Sequence, residues 1–202
     1  MGRLEKDNFP PQAGQTPLED SSGLLVNIST REELNAYEFA NVNKITAKYL
    51  LSRPSDKKAP FTFEWFLKVH REMFGEVWEW AGQIRKTNKS IGIDKIQIRE
   101  ALKLLEKDYS HWTLTHLNPD EITARLHHRL VWIHPFENGN GRWARLITNI
   151  HLKKNELPLI EWLEEALLKK TDLRKRYLEA LQKADTHDFL PLIHIHRSLQ
   201  KI

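Results

Sequence analysis

Between Pro119 and Asn155 two helical patterns are separated by one short break, and that break constrains the chain more than any other feature. The first pattern, Pro119 to His134, ends at a histidine, and the second opens near Gly141 and runs from about Arg142 to Asn155. A glycine-bearing loop that feeds a helix N-terminus leaves several backbone N–H groups unpaired, and together they attract an anion. Gly139 and Gly141 let the backbone approach a ligand closely. Arg142 and Arg145 are three residues apart, so both project from one face of the first turn. Cations there oppose the helix dipole, so an anion is expected beside them. Two guanidinium groups next to bare amides suit a polyphosphate better than a single carboxylate. Across the loop, His134 is a side chain whose ordinary pKa lies near neutral pH. A phosphate cradle beside a base points to phosphoryl or nucleotidyl transfer onto a hydroxyl.

The remaining periodicity predicts an all-α domain with one small β-hairpin. Thr30 to Ser52 opens on a capping box, Thr30 with Glu33, and Pro54 lies just past its end. Phe63 to Phe74 places Phe66, Leu67, Val69, Met73 and Phe74 at helical spacing before Gly75. Glu100 to Leu114, Leu159 to Lys170 and Thr171 to Ala184 are helical by the same criterion. From Gly82 to Arg99 the period changes: Ile91, Ile93, Ile96 and Ile98 alternate around Asp94-Lys95, which predicts a hairpin. Residues 1–28, broken by Pro10, Pro11, Gly14, Pro17 and Gly23, read as a loosely structured leader to a domain spanning 29–202.

Composition excludes several classes. The 202 residues include no cysteine, which removes disulfides, thiolate zinc sites and thiol nucleophiles. No apolar run approaches a membrane span and no signal-peptide core opens the chain, so a soluble cytoplasmic protein is expected. The 31 basic residues barely exceed the 27 acidic ones, and Glu156, Glu161, Glu164 and Glu165 interrupt the Lys/Arg clusters, so no nucleic-acid partner is expected. His127, His128, His134 and His151 match no zinc spacing.

His134-Pro135-Phe136 followed by Gly139-Asn140-Gly141-Arg142 and Arg145 resembles the signature of the Fic (filamentation induced by cyclic AMP) family. The stretch from Phe66 to Gly82 is similar to the family's segment leading into its flap. Thr16-Pro-Leu-Glu-Asp20 and Thr30-Arg-Glu-Glu-Leu-Asn35 look like the branch called mobile mystery protein B. The resemblance implies an AMP transferase that uses ATP, with Mg²⁺ as cofactor, to adenylylate a hydroxyl of a target protein. Carried over position by position, His134 would take the hydroxyl proton and Phe136 would anchor the loop. Gly139, Asn140 and Gly141 would hold the inner phosphates, and Arg142 and Arg145 the outer ones. The segment of about 83–99, with Ile91, Ile93, Ile96 and Ile98, would be a flap aligning the target by strand addition.

One position departs from the family pattern. Where an acid would hold Mg²⁺ stands Asn138, a neutral and weaker ligand. Its neighbour Glu137 is expected to point elsewhere, because consecutive loop residues diverge. Glu38 shares a helix face with Leu34, Val42 and Ile45, and a carboxylate on an apolar face needs a partner. Many Fic proteins restrain their second motif arginine with a helical glutamate, so Glu38 is a candidate restraint on Arg145. The same site read backwards would remove AMP from a modified protein. Read as impaired by Asn138, it would be a nucleotide-binding or interaction module. A Doc-type phosphotransferase is disfavoured because Gly-Asn-Gly-Arg is intact, and an antitoxin-like or regulatory partner is compatible with the family.

Overall fold

The computed structural model describes residues 23–28, 30–115, 117–168 and 171–200. Its helices are α1 (Arg31–Leu50), α2 (Phe63–Phe74), α3 (Ile98–Leu114), α4 (Pro119–Ile133), α5 (Asn140–Lys154), α6 (Glu164–Leu168), α7 (Asp172–Ala184) and α8 (Leu190–Ser198). Thr30 accepts from the Glu33 amide while the Glu33 side chain accepts from the Thr30 amide, so the expected capping box starts α1. Thr62 and Thr171 cap α2 and α7 in the same one-sided way, through their hydroxyls.

The centre of the fold is α5. Every residue from Trp143 to Leu152 is buried, so this helix is enclosed on all sides rather than lying on a surface. It packs against α4, and this pair separates two groups of helices: α1, α2 and α3 on one side, α6, α7 and α8 on the other. The larger core joins Phe61, Phe66, Phe74 and Trp78 to Phe136 and Trp143 of the loop and α5. A smaller core, with Leu167, Tyr177, Leu181, Leu192 and Ile195, closes the far end. Burying four such aromatic or aliphatic side chains contributes on the order of 6–12 kcal/mol, and the larger core, through Phe136, holds the α4–α5 loop in place.

The all-α reading holds, but several sequence expectations are corrected. Residues 82–94 form no β ladder. They are an irregular loop that enters a 3-10 turn, Lys95–Gln97, and Ile98 already begins α3. Side chains, rather than paired strands, close this loop. Arg85 donates to the carbonyls of Thr87 and Ile93, and Asn88 bonds both the Asp94 carboxylate and the Lys95 amide. Asp94 then caps the turn through the Ile96 amide. The alternation of isoleucines therefore has another cause: Ile91 and Ile96 are exposed, Ile93 packs against the core, and Ile98 is fully buried. Of the helix expected over Leu159 to Lys170, residues 159–163 are not helical, α6 is, and residues 169–170 lie outside the described residues; α8 is a helix that the period count passed over.

Of the expected leader, residues 1–22 lie outside the described residues. Residues 23–28 are fastened: Leu24 bridges Trp78, the Leu25 amide donates to Val77, and Ile28 is buried. Among the described residues no helix is long and apolar enough to cross a membrane.

Candidate active site

His134 ends α4 in the left-handed conformation, with φ 50° and ψ 60°. This sharp reversal turns the chain out of the helix and starts the loop. Arg85 fixes the reversal from outside, its guanidinium donating to the His134 carbonyl and its amide to the Pro135 carbonyl. The imidazole is 8% exposed. Burial, helped by the nearby Arg85 and opposed by a hydrogen bond with the Val131 backbone, pushes its pKa down to about 4. At neutral pH it is therefore uncharged and able to accept a proton.

Phe136 is fully buried, stacked on His70 at 3.6 Å between ring centroids and edge-on to Trp143 at 5.0 Å. The Asn140 side chain spans the loop: its Oδ1 accepts from the Phe136 amide and its Nδ2 donates to the Phe136 carbonyl. That side chain is spent on bracing the loop, so only the Asn140 backbone N–H can face a phosphate. Gly139 precedes α5 with φ 78°, and a Cβ there would lie 2.6 Å from the Phe74 ring. Glycine is thus required twice over, by conformation and by space. No side chain caps α5, so its first amides are open to an anion among the described residues.

The arginines have acid partners, and here an expectation is corrected. Glu38, 3% exposed, bonds Arg142 at 2.7 Å and accepts from the Trp78 indole at 2.7 Å; it does not restrain Arg145. The reason is geometric: Arg142 turns toward α1 across the Phe74 ring, while Arg145 turns toward α6. Arg145 is held bidentately by Glu164, at 2.9 and 2.5 Å. Burial alone would lower its pKa, but Glu164 and Tyr177 raise it. Behind it Tyr177 bonds His127, and His127 bonds the buried His196, so His127 has a structural role.

The donors that a resident Mg²⁺ would need do not fit it. Asn138 Oδ1 accepts from the Gly139 amide at 2.7 Å. Glu137 points away to the flap loop, paired with Lys89 at 2.8 Å and near the Lys86 amide and the Thr87 hydroxyl. Among the described residues no three acids or histidines converge on one point. Mg²⁺ takes hard, charged oxygens in octahedral array, and this loop offers none that is uncommitted.

Two residues of the site were not read from the sequence. His70 accepts from the Gly82 amide through Nδ1 and donates to the Asn138 carbonyl through Nε2, tying the flap's root to the phosphate loop. Its burial pushes the pKa down to about 3. A signal existed: His70 lies on the apolar stripe of α2 beside Phe66, Val69 and Met73, where a polar ring needs partners. Arg85 carried no such signal.

A scan of family descriptions matches residues 60–152 to the Fic/DOC family. Residues 60–152 are a Fic/DOC family domain. The chain is 30% identical over 151 residues to "Protein adenylyltransferase Fic" of Nematostella vectensis, covering 72% of this chain and 34% of that protein. With "Protein adenylyltransferase fic-1" of Caenorhabditis elegans it shares 28% identity, over 93% of this chain and 37% of the other. The chain thus spans about a third of the length of these curated relatives. Among solved structures, the N-terminal Fic domain of a Bartonella quintana cell filamentation protein, with bound ADP, matches at a TM-score of 0.66 and 20% identity, over 91% of this chain and 92% of that one. The Fic/DOC fold therefore accounts for the α-helical frame around the loop.

Proposed function

We propose that this Fic/DOC chain is a protein adenylyltransferase held in a restrained state, with residues 29–202 as its working unit. The observation that carries the reading is the juxtaposition of an uncharged, buried His134 with the uncapped start of α5 on one loop. The names of the curated relatives support it. ATP would lie with its inner phosphates on the amides of Asn140, Gly141 and Arg142. A target hydroxyl oxygen attacks the α-phosphorus while its proton passes to the His134 imidazole. The bond from that phosphorus to the oxygen bridging the β-phosphate breaks, and pyrophosphate leaves with the electron pair. Arg142 and Arg145 take the outer phosphates once their acids let go. Glu38 is the restraint on Arg142, so transfer is slow while that pair holds. Of the flap isoleucines, Ile91 and Ile96 are exposed and available to a target segment. Mg²⁺ would arrive on the phosphates of ATP, since the loop's one acid, Glu137, is turned to Lys89. The need for ATP fits a cytoplasmic setting.

A second reading, a nucleotide-binding module without transfer, is favoured by Asn138 and by the two acid-paired arginines. Incubation with α-labelled ATP and a lysate separates the two. The transferase reading expects label on the chain or on a lysate protein from the parent, more from Glu38→Gln, and none from His134→Ala. Stabilisation by ATP with no label in any variant leaves only the binding module.

A further inference from the structure

The phosphate loop lacks a charged metal ligand, and an ammonium group lies beside it instead. We propose that Lys89 of the flap loop is a further catalytic residue, its ammonium contacting the α- and β-phosphates and supplying the positive charge that a carboxylate-held metal would bring. This rests on the nucleotide reading above.

Three observations carry it. First, the Lys89 side chain is drawn inward, only 11% exposed, whereas a lysine on a surface loop ordinarily extends into water. Ordering so flexible a stem costs about 1.5–2 kcal/mol, which the pair with Glu137 helps to offset. Secondly, the flap lies directly on the base. A Cβ on Gly92 would stand 2.4 Å from the His134 Cβ, and Lys89 adds a small share, after burial and Arg85, to what keeps the His134 imidazole unprotonated. Its pair with Glu137, three residues past His134, anchors the ammonium on the phosphate loop itself, on the same turn as the base that takes the hydroxyl proton. Thirdly, its partner can be exchanged. The Glu137 side chain is 28% exposed, so its carboxylate can turn to water when a triphosphate arrives; that of Glu38, which holds Arg142, is buried and cannot do so as easily. A compact point charge on a flexible stem suits a moving phosphate charge better than a fixed guanidinium fork does.

A mere tether between flap and loop makes a different forecast, because a tether fails equally when either partner is removed. The test is binding of AMPPNP by calorimetry, in EDTA and in Mg²⁺, to the parent, Lys89→Gln, Lys89→Arg and Glu137→Gln. In EDTA the parent is expected to bind within about threefold of its Mg²⁺ affinity. Lys89→Gln should weaken that binding by about tenfold, Lys89→Arg by under about threefold, and Glu137→Gln not at all. Adding Asn138→Asp to Lys89→Gln should restore binding only when Mg²⁺ is present. Equal losses in Lys89→Gln and Glu137→Gln, parent binding that vanishes in EDTA, or no binding in either condition overturns the proposal. The two readings fail separately. His134-dependent labelling with an indifferent Lys89→Gln removes Lys89 alone, and Lys89-dependent binding without any labelling removes transfer and leaves Lys89 as a phosphate-binding residue only.

Discussion

At neutral pH the His134 imidazole carries no charge, because its burial and the neighbouring Arg85 push its pKa down to about 4. An ordinary histidine would be half protonated at about pH 6.5 and would lose base activity below it. The expected profile of kcat/KM is therefore flat from about pH 8 down to about pH 6, a range where an unperturbed base would already be failing. Initial-rate labelling across that range checks it, and a half-maximal point near pH 6.5 would contradict the burial argument. Glu38 makes the complementary case of a buried charge held by a partner. Glu38→Gln keeps an acceptor for the Trp78 indole but leaves Arg142 without its counter-charge. Loss of that buried pair should cost about 1–3 kcal/mol, which for a chain of this size lowers Tm by roughly 2–10 °C. The same change should tighten AMPPNP binding by about tenfold, because the guanidinium becomes available to a phosphate. A variant that melts early and binds no better would make Glu38 a structural residue only.

The flap loop shows what an element can be when side chains, not ladders, define it. Gly92 has φ 97°, and its α-carbon faces the His134 Cβ so closely that a methyl group would stand 2.4 Å away. Gly92→Ala must shift either the flap or the imidazole. The expected result is a roughly hundredfold fall in transfer, against about 1–3 kcal/mol of lost stability. Thermal melting and labelling of the same preparation check both. This loop is also where the sequence misleads. Period-two isoleucines are a fair sign of a strand, but the count cannot register that Arg85, Asn88 and Asp94 bind the loop's own backbone and so compete with strand pairing. Ile98 belongs to α3, and only its neighbours across the core, which are distant in sequence, say so. By contrast α1, α2, α4 and α5 were legible because local rules decide them: a capping box, an apolar stripe ended by glycine, and a Gly-Asn-Gly break. The phosphate loop was legible for the same reason. Which arginine Glu38 would meet was not, since that depends on the crossing of α1 over α2 and α5. The short α8 has its own sign in Pro191 at the first turn with Leu192 and Ile195 facing one core, but nine residues give little period to count.

Across the whole molecule, the same desolvation that keeps His134 basic acts on a set of histidines packed through both cores. The pKa of His70 and of His196 is pushed down to about 3, that of His151 to about 4, and that of His127 well below the ordinary value, in each case first by burial. These rings are neutral in the folded chain, while in the unfolded chain each takes up a proton near pH 6.5. Below that pH the unfolded state therefore binds more protons, and stability falls. Their contribution is whole above about pH 6.5 and is lost as pH drops from there toward 4, where the folded rings begin to accept protons themselves. Each ring costs about 1.4 kcal/mol per pH unit inside that window, so five together cost roughly 7 kcal/mol on going to pH 5.5. A domain is stable by about 5–15 kcal/mol in all, so the chain should unfold cooperatively between about pH 6 and 4.5, well before its carboxylates titrate. Calorimetric unfolding at pH 5.5 in buffers of different ionisation enthalpy counts the protons taken up, and about five are expected. An uptake of one or none would mean that the buried rings are already charged in the fold. His134 would then be an acid in the resting protein, and the start of α5 would face a cation where the transfer reaction needs a base.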